Sequence, residues 1–160
     1  MALRSLLCSG WLAAVLLGAS VAATAAAEPT QQVLGNWLTQ DRDGIIQISR
    51  ASDGSYQGRI VGGDDPGGRD NKNPDLALRS RPLRGTVIMH GLRYAGDGHW
   101  TDGTIYDPDS GHNYHCSLEL VAPDRLKIHG YIGIPLLGRS QTWTRYLGTS
   151  MDLPKSGVTR

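Results

Sequence analysis

Two histidines and a cysteine stand within His112-Asn-Tyr-His-Cys116, a density that suggests a metal site or a thiol activated by a base. Asn71-x-Asn73-x-Asp75 adds the alternate spacing of calcium ligands. It lacks the glycine and terminal glutamate of an EF-hand loop, however, and carries Pro74 inside. Asp107-Pro-Asp109 has a similar look, but a hairpin turn explains it with fewer assumptions. The sequence contains no Gly-x-Ser-x-Gly elbow, Walker loop or His-Glu-x-x-His helix.

Whether these side chains meet depends on the element that carries them. The stretch Asn113–Val121 reads as a strand, in which successive side chains point to opposite faces. Tyr114, Cys116, Leu118 and Leu120 then share one face, as in a core or cavity wall. Asn113, His115, Ser117 and Glu119 share the other. His115 and Cys116 point apart and cannot ligate one metal, and His112 lacks the paired spacing of a zinc site. A cysteine in an apolar row behaves as a small hydrophobe. The reading is therefore a strand, with no catalytic residue, no metal and no cofactor assigned.

The ends of the chain bound what partners to expect. Arg4, the apolar run Leu12–Leu17 and the alanine-rich stretch ending at Ala27 have the order of a secretory signal peptide, with cleavage near Ala27. The apolar centre is far shorter than the roughly 20 residues of a bilayer span. We therefore expect residues 1–27 to be a signal peptide and 28–160 a single domain, periplasmic or secreted, without an integral membrane span. Cleavage removes Arg4, so Lys+Arg falls from 16 to 15 against 15 Asp+Glu. That balance argues against nucleic acid as a partner. Cys116 is then the only cysteine left, so no internal disulfide is expected.

The rest reads as short strands at Gly35–Gln40, Ile45–Arg50, Tyr56–Val61, Thr86–Tyr94, His99–Asp107, Asn113–Val121, Arg125–Tyr131 and Gln141–Leu147. Asp43-Gly44, Asp53-Gly54, Asp97-Gly98, Asp107–Gly111 and Pro123-Asp124 separate them, and such residues accept the backbone of tight turns. The fold class expected is all-β, an antiparallel up-and-down β-barrel of about eight strands, since closure removes exposed sheet edges. One connection, 62–84, far exceeds the usual 4–6 residues or so. It carries one helical turn at Asp75–Leu78.

Gly35-x-Trp37 at the start and Arg145 at the end resemble the framework of calycin, lipocalin-like barrels, in which the arginine packs across the indole. Asp70-x-x-Asn73-Pro-Asp75, Arg79-x-Arg81-Pro-Leu83-x-Gly85, Gly103-x-Ile105-Tyr106-Asp107-Pro and Gly130-Tyr-Ile-Gly133 are more specific. With Leu137-Gly-Arg139-x-Gln141-x-Trp143 they are similar to a widespread bacterial envelope family, catalogued as domain of unknown function 2147. The resemblance spans about Gly35 to Tyr146. It implies an exported barrel and no assigned activity.

Within that frame Asp70, Asn73, Arg79 and Arg81 fall in the long loop, while Tyr106 and Tyr114 flank the Asp107–Gly111 hairpin. They form either a polar rim for a carboxylate or phosphate head group, or ties that hold the loop. The preferred reading is a barrel that binds a small apolar or amphipathic molecule, anionic ones included. An enzyme with its polar site under the 62–84 loop, and an envelope interaction module docking through that loop or the Tyr131–Leu137 corner, are the alternatives.

Overall fold

The computed structural model describes residues 27–155; the expected signal peptide lies almost wholly outside them. Eight strands form one closed antiparallel barrel in sequence order. They are β1 (Gly35–Leu38), β2 (Gly44–Arg50), β3 (Tyr56–Gly63), β4 (Val87–Gly96), β5 (His99–Asp107), β6 (His112–Ala122), β7 (Arg125–Tyr131) and β8 (Arg139–Arg145). A single helical turn, α1 (Pro29–Gln32), precedes them. The β1–β2, β3–β4, β5–β6 and β7–β8 connections share one end, here the upper. The remaining turns and α1 lie at the lower end.

Strand β1 stops earlier than its sequence pattern suggests. Thr39 Oγ1 accepts hydrogen bonds from the N–H groups of Asp43 and Gly44 (3.2 and 3.0 Å), which turns the chain at once. As a result β1 meets β8 only at Trp37↔Arg145 and Leu38↔Thr144. Above that, a side chain replaces the missing strand: Gln40 Oε1 accepts from the Thr142 N–H at 3.0 Å.

The lower end is sealed. Trp37 is fully buried, its Nε1–H donates to Val33 O at 2.8 Å, and the Arg145 guanidinium lies 4.0 Å from the indole centroid. Arg145 also donates to the carbonyls of Leu34 (2.6 Å) and Gln32. This is the predicted closure, with the cation's remaining donors turned to backbone oxygens.

Above this seal Met89, Leu92, Trp100, Cys116 and Leu126 show no accessible surface, and Trp143 and Ile128 show 3% and 5%. A side chain with no accessible surface borders no void able to hold a water molecule. The lower half of the barrel is therefore filled. Glycine makes room for this packing: a Cβ on Gly103 would stand 2.5 Å from Leu92 Cδ2 and 2.9 Å from Cys116 Sγ. Cys116 faces inward as expected, and burial pushes its thiol pKa up to about 12. It is a packing residue, not a nucleophile.

The chain after β8 folds back outside the barrel. Tyr146 N–H donates to Asn36 O, and Leu153 N–H to Gly63 O, at 2.9 Å each. The contact needs glycine, since a Cβ on Gly62 would fall 2.1 Å from Met151 O.

Candidate functional site

The long loop is ordered by its own chain. Asp70 N–H donates to Arg81 O (3.1 Å) and Leu83 N–H to Gly68 O (2.9 Å), so the two limbs pair as a short ladder around Arg69↔Pro82. Between them Asn73 Oδ1 accepts from Asp75 N–H and Asp75 Oδ1 from Ala77 N–H, both at 2.9 Å. The second of these caps the one-turn 3-10 helix Leu76–Leu78, where the sequence indicates a helical turn.

Asp70 is the hub of this loop, with no accessible surface. Its carboxylate accepts from Tyr106 Oη at 2.5 Å, Asn73 Nδ2 at 2.7 Å and Arg81 Nε at 2.9 Å. A second Arg81 nitrogen stands 2.7 Å away. Burial alone would raise the Asp70 pKa, but the Tyr106, Asn73 and Arg81 bonds and the Arg81 charge outweigh it, leaving the pKa below the usual 3.8. The Tyr106 phenol is pushed up to about 12 by burial and by donating to this carboxylate. Arg79 Nε donates to Asn73 O at 2.8 Å. The structure thus brings Asp70, Asn73, Arg79, Arg81 and Tyr106 together and gives them one another as partners.

This cluster does not face the interior. Gly103 and Ile105 of β5 pair with Cys116 and Tyr114 of β6 and share their inner face. Tyr106 therefore points to the outer face, where the loop buries it. A Cβ on Gly111 would meet Lys72 O at 2.1 Å, which places the loop against the β5–β6 hairpin. Of the two roles expected for these residues, the structure shows the ties that hold the loop and not a rim facing the interior: the polar hub lies outside the wall. Tyr114 stands apart, half-buried on the inner face.

The inner face of the upper end carries a second polar group. Trp143 is buried in the core, so Gln141 and Arg139, two and four residues earlier on the same strand, face inward as well. Gln141 Oε1 accepts from Trp143 Nε1 at 3.1 Å, which confirms the shared face. Both Arg139 and Gln141 are nevertheless exposed, because the barrel is open above them. Arg139 stands opposite Gly130, which offers no side chain to fill the space. Ile60, Ile105 and Tyr114, partly buried, share this inner face near the upper end, a region here called the cup. The period-two motif Arg139-x-Gln141-x-Trp143 signals this arrangement in the sequence, and Arg139 and Gln141 are the candidate residues that the sequence reading passed over.

On the outer wall His99, Ser117, Glu119, Lys127, His129 and Ser140 line a groove. Among the described residues no group of three or more His, Cys, Asp or Glu side chains is placed to hold a metal ion. No helix among them is long and apolar enough to cross a membrane.

A closed eight-stranded meander sealed below by a tryptophan–arginine contact is a lipocalin-like barrel. The chain belongs to the bacterial family described as "Uncharacterized protein conserved in bacteria (DUF2147)", whose model matches residues 35–145. Among solved structures it is similar to protein HP1028 from the human pathogen Helicobacter pylori, described as belonging to the lipocalin family. The TM-score is 0.65 at 21% identity, over 71% of this chain and 82% of that one. At that identity the likeness speaks for the fold alone. No curated protein matches the chain.

Proposed function

We propose that the barrel binds a small amphipathic, anionic molecule in its upper cup, with the head group on Arg139 and the apolar part against Ile60, Ile105 and the floor. The observation that carries this reading is an exposed guanidinium on the inner face of a barrel whose lower half is filled. Arginine's planar fork donates paired hydrogen bonds to a carboxylate or phosphate, and no acidic partner for Arg139 is present among the described residues. Tyr114 and Gln141 supply further polar contacts. Because the floor seals the barrel at mid-height, the ligand is short or projects from the mouth. Arg79 and Arg81 take the secondary role of holding the loop beside it.

We also propose that the protein acts in the periplasm or outside the cell after cleavage near Ala27. The support is the charged start, short apolar centre and alanine-rich end of residues 1–27. N-terminal sequencing of the native protein tests it, and a retained Met1 would remove it.

The binding test is titration of dodecanoate and dodecanol into wild type, Arg139→Ala, Arg139→Lys and the double variant Arg79→Lys/Arg81→Lys. Arg139→Ala should weaken dodecanoate about tenfold or more, as expected for loss of a charged hydrogen-bond pair, and leave dodecanol nearly unchanged. Arg139→Lys should fall between. If wild type binds neither probe, or all folded variants bind both equally, the cup is not an anion site.

A further inference from the structure

The β7–β8 connection leaves its apolar residues in solvent. Ile132, Ile134, Leu136 and Leu137 are 66%, 57%, 88% and 76% exposed, around the one-turn 3-10 helix Pro135–Leu137. The turn is held firmly: His129 Nε2 contacts Pro135 O at 2.7 Å and its Nδ1 the Ser140 hydroxyl at 2.9 Å. Four aliphatic side chains are thus fixed outward on a rigid, convex tip, at the same end as the cup.

Charge is distributed unevenly along the last hairpin, with Arg139 beside the tip and Arg125 and Arg145 at the lower end. No Asp or Glu occurs between Asp124 and Asp152, whereas Arg125, Lys127, Arg139 and Arg145 do. The even balance of residues 28–160 conceals a last hairpin with cations only. The outer face of β7 is also graded. From the lower end it reads Arg125, Lys127, His129 and Tyr131, and the aliphatic tip follows. Lys127 is tied to Glu119 at 3.2 Å. Tyr131 stacks between His115 and His129, with centroids 5.5 and 5.8 Å away. On the β5–β6 hairpin at the same end, the Asp107 carboxylate accepts from Asp109 N–H (3.0 Å) and the Ser110 hydroxyl (2.7 Å).

We infer that the tip Ile132–Leu137 inserts into the surface of a lipid bilayer containing anionic phospholipid and holds the mouth of the barrel against it. A protein partner would need a complementary groove for each side chain, and its anchors are usually aromatic or arginine residues. Hydrocarbon imposes no such shape, so a convex, purely aliphatic tip fits it. The succession of aliphatic, aromatic and cationic side chains matches the depth order of core, interface and head group. The inference does not depend on the cup being occupied.

Purified protein is sedimented with vesicles of phosphatidylcholine alone and with added phosphatidylglycerol, at low and high salt. Wild type should partition onto both, more strongly onto the anionic vesicles, and salt should erase the difference. Leu136→Ser/Leu137→Ser should reduce partitioning at least about tenfold, since each leucine contributes transfer of a whole aliphatic side chain. Both positions are exposed, so an unchanged near-ultraviolet circular dichroism spectrum is expected and separates this loss from misfolding. A Leu136→Trp reporter should shift its emission to the blue on vesicle addition. Equal partitioning of wild type and the double-serine variant would overturn the inference. So would an absence of partitioning by wild type, and in that case a concentration-dependent dimer lost in the double-serine variant would identify a second copy as the occupant. Dodecanoate titration of the same variant separates this result from the cup reading, because a membrane-deficient tip should leave that affinity unchanged.

Discussion

The two ends of the barrel use arginine in opposite ways. At the lower end Arg145 lies across a fully buried indole and spends its donors on backbone carbonyls. At the upper end Arg81 is absorbed by Asp70, while Arg139 faces an open cup with no acidic partner among the described residues. One end is closed by packing. The other leaves a cation available.

Substitutions that ask which arginine holds the fold should separate these roles. The largest effect is expected for Trp37→Ala, about 3–5 kcal/mol, the range for deleting a buried large aromatic. Arg145→Ala should cost less and couple to it in a double-mutant cycle read by denaturant unfolding. Strict additivity would mean that the guanidinium–indole contact contributes nothing.

The loop cluster should come next. Asp70→Ala should cost about 2–4 kcal/mol, because Tyr106 and Arg81 lose a buried charged partner, and Tyr106→Phe about 1–2 kcal/mol. The depressed pKa of Asp70 sets the sign of the pH effect. Its stabilisation is present above the ordinary carboxylate range and is lost as pH falls through the lowered value. Acid should therefore loosen the upper loop first, while the Trp37–Arg145 contact, which contains no carboxylate, persists. Amide exchange of Asp70 and Asn73 against Trp37 across an acid series checks this order. Simultaneous loss would merge the two ends into one cooperative unit.

Smaller effects should follow inside the wall and at the cup. Cys116→Ala should cost about 1–2 kcal/mol through a small cavity and leave ligand binding intact. Arg139→Ala should change stability by less than about 0.5 kcal/mol, as surface substitutions do. A large stability loss at Arg139 would mean that it is structural, like the other arginines, and would erase the contrast between the ends.

The fold was legible because its punctuation is local. Asp-Gly pairs mark the turns, and alternation assigns His115 and Cys116 to opposite faces without tertiary information. The Trp37–Arg145 contact was also accessible, through the resemblance of Gly35-x-Trp37 and Arg145 to the framework of lipocalin-like barrels. Ties holding the loop were one of two roles open to its arginines, but the hub itself was not legible, because Tyr106 reaches Asp70 across 36 positions and no local signal pairs them. A dense pair of arginines drew the candidate anion site to the loop, although Arg139-x-Gln141-x-Trp143 carries the strand period that places Arg139 inside. The early end of β1 depends on one hydroxyl, Thr39, filling the turn that follows it. Whether the Tyr131–Leu137 corner is exposed depends on what covers it, which no local pattern in the sequence reveals.

The seam between β1 and β8 also orders events in time. Every other pairing joins neighbouring strands, whereas the seal links Leu34 and Arg145 across 111 positions and Gln40 and Thr142 across 102. Hairpins can zip up one after another at little loop-closure cost, but the ring has to wait for its final strand. Until residue 145 is available, Trp37 and the other residues under the seal have no lid. Pairing of β8 is therefore the step that closes the ring and covers the residues under its seal.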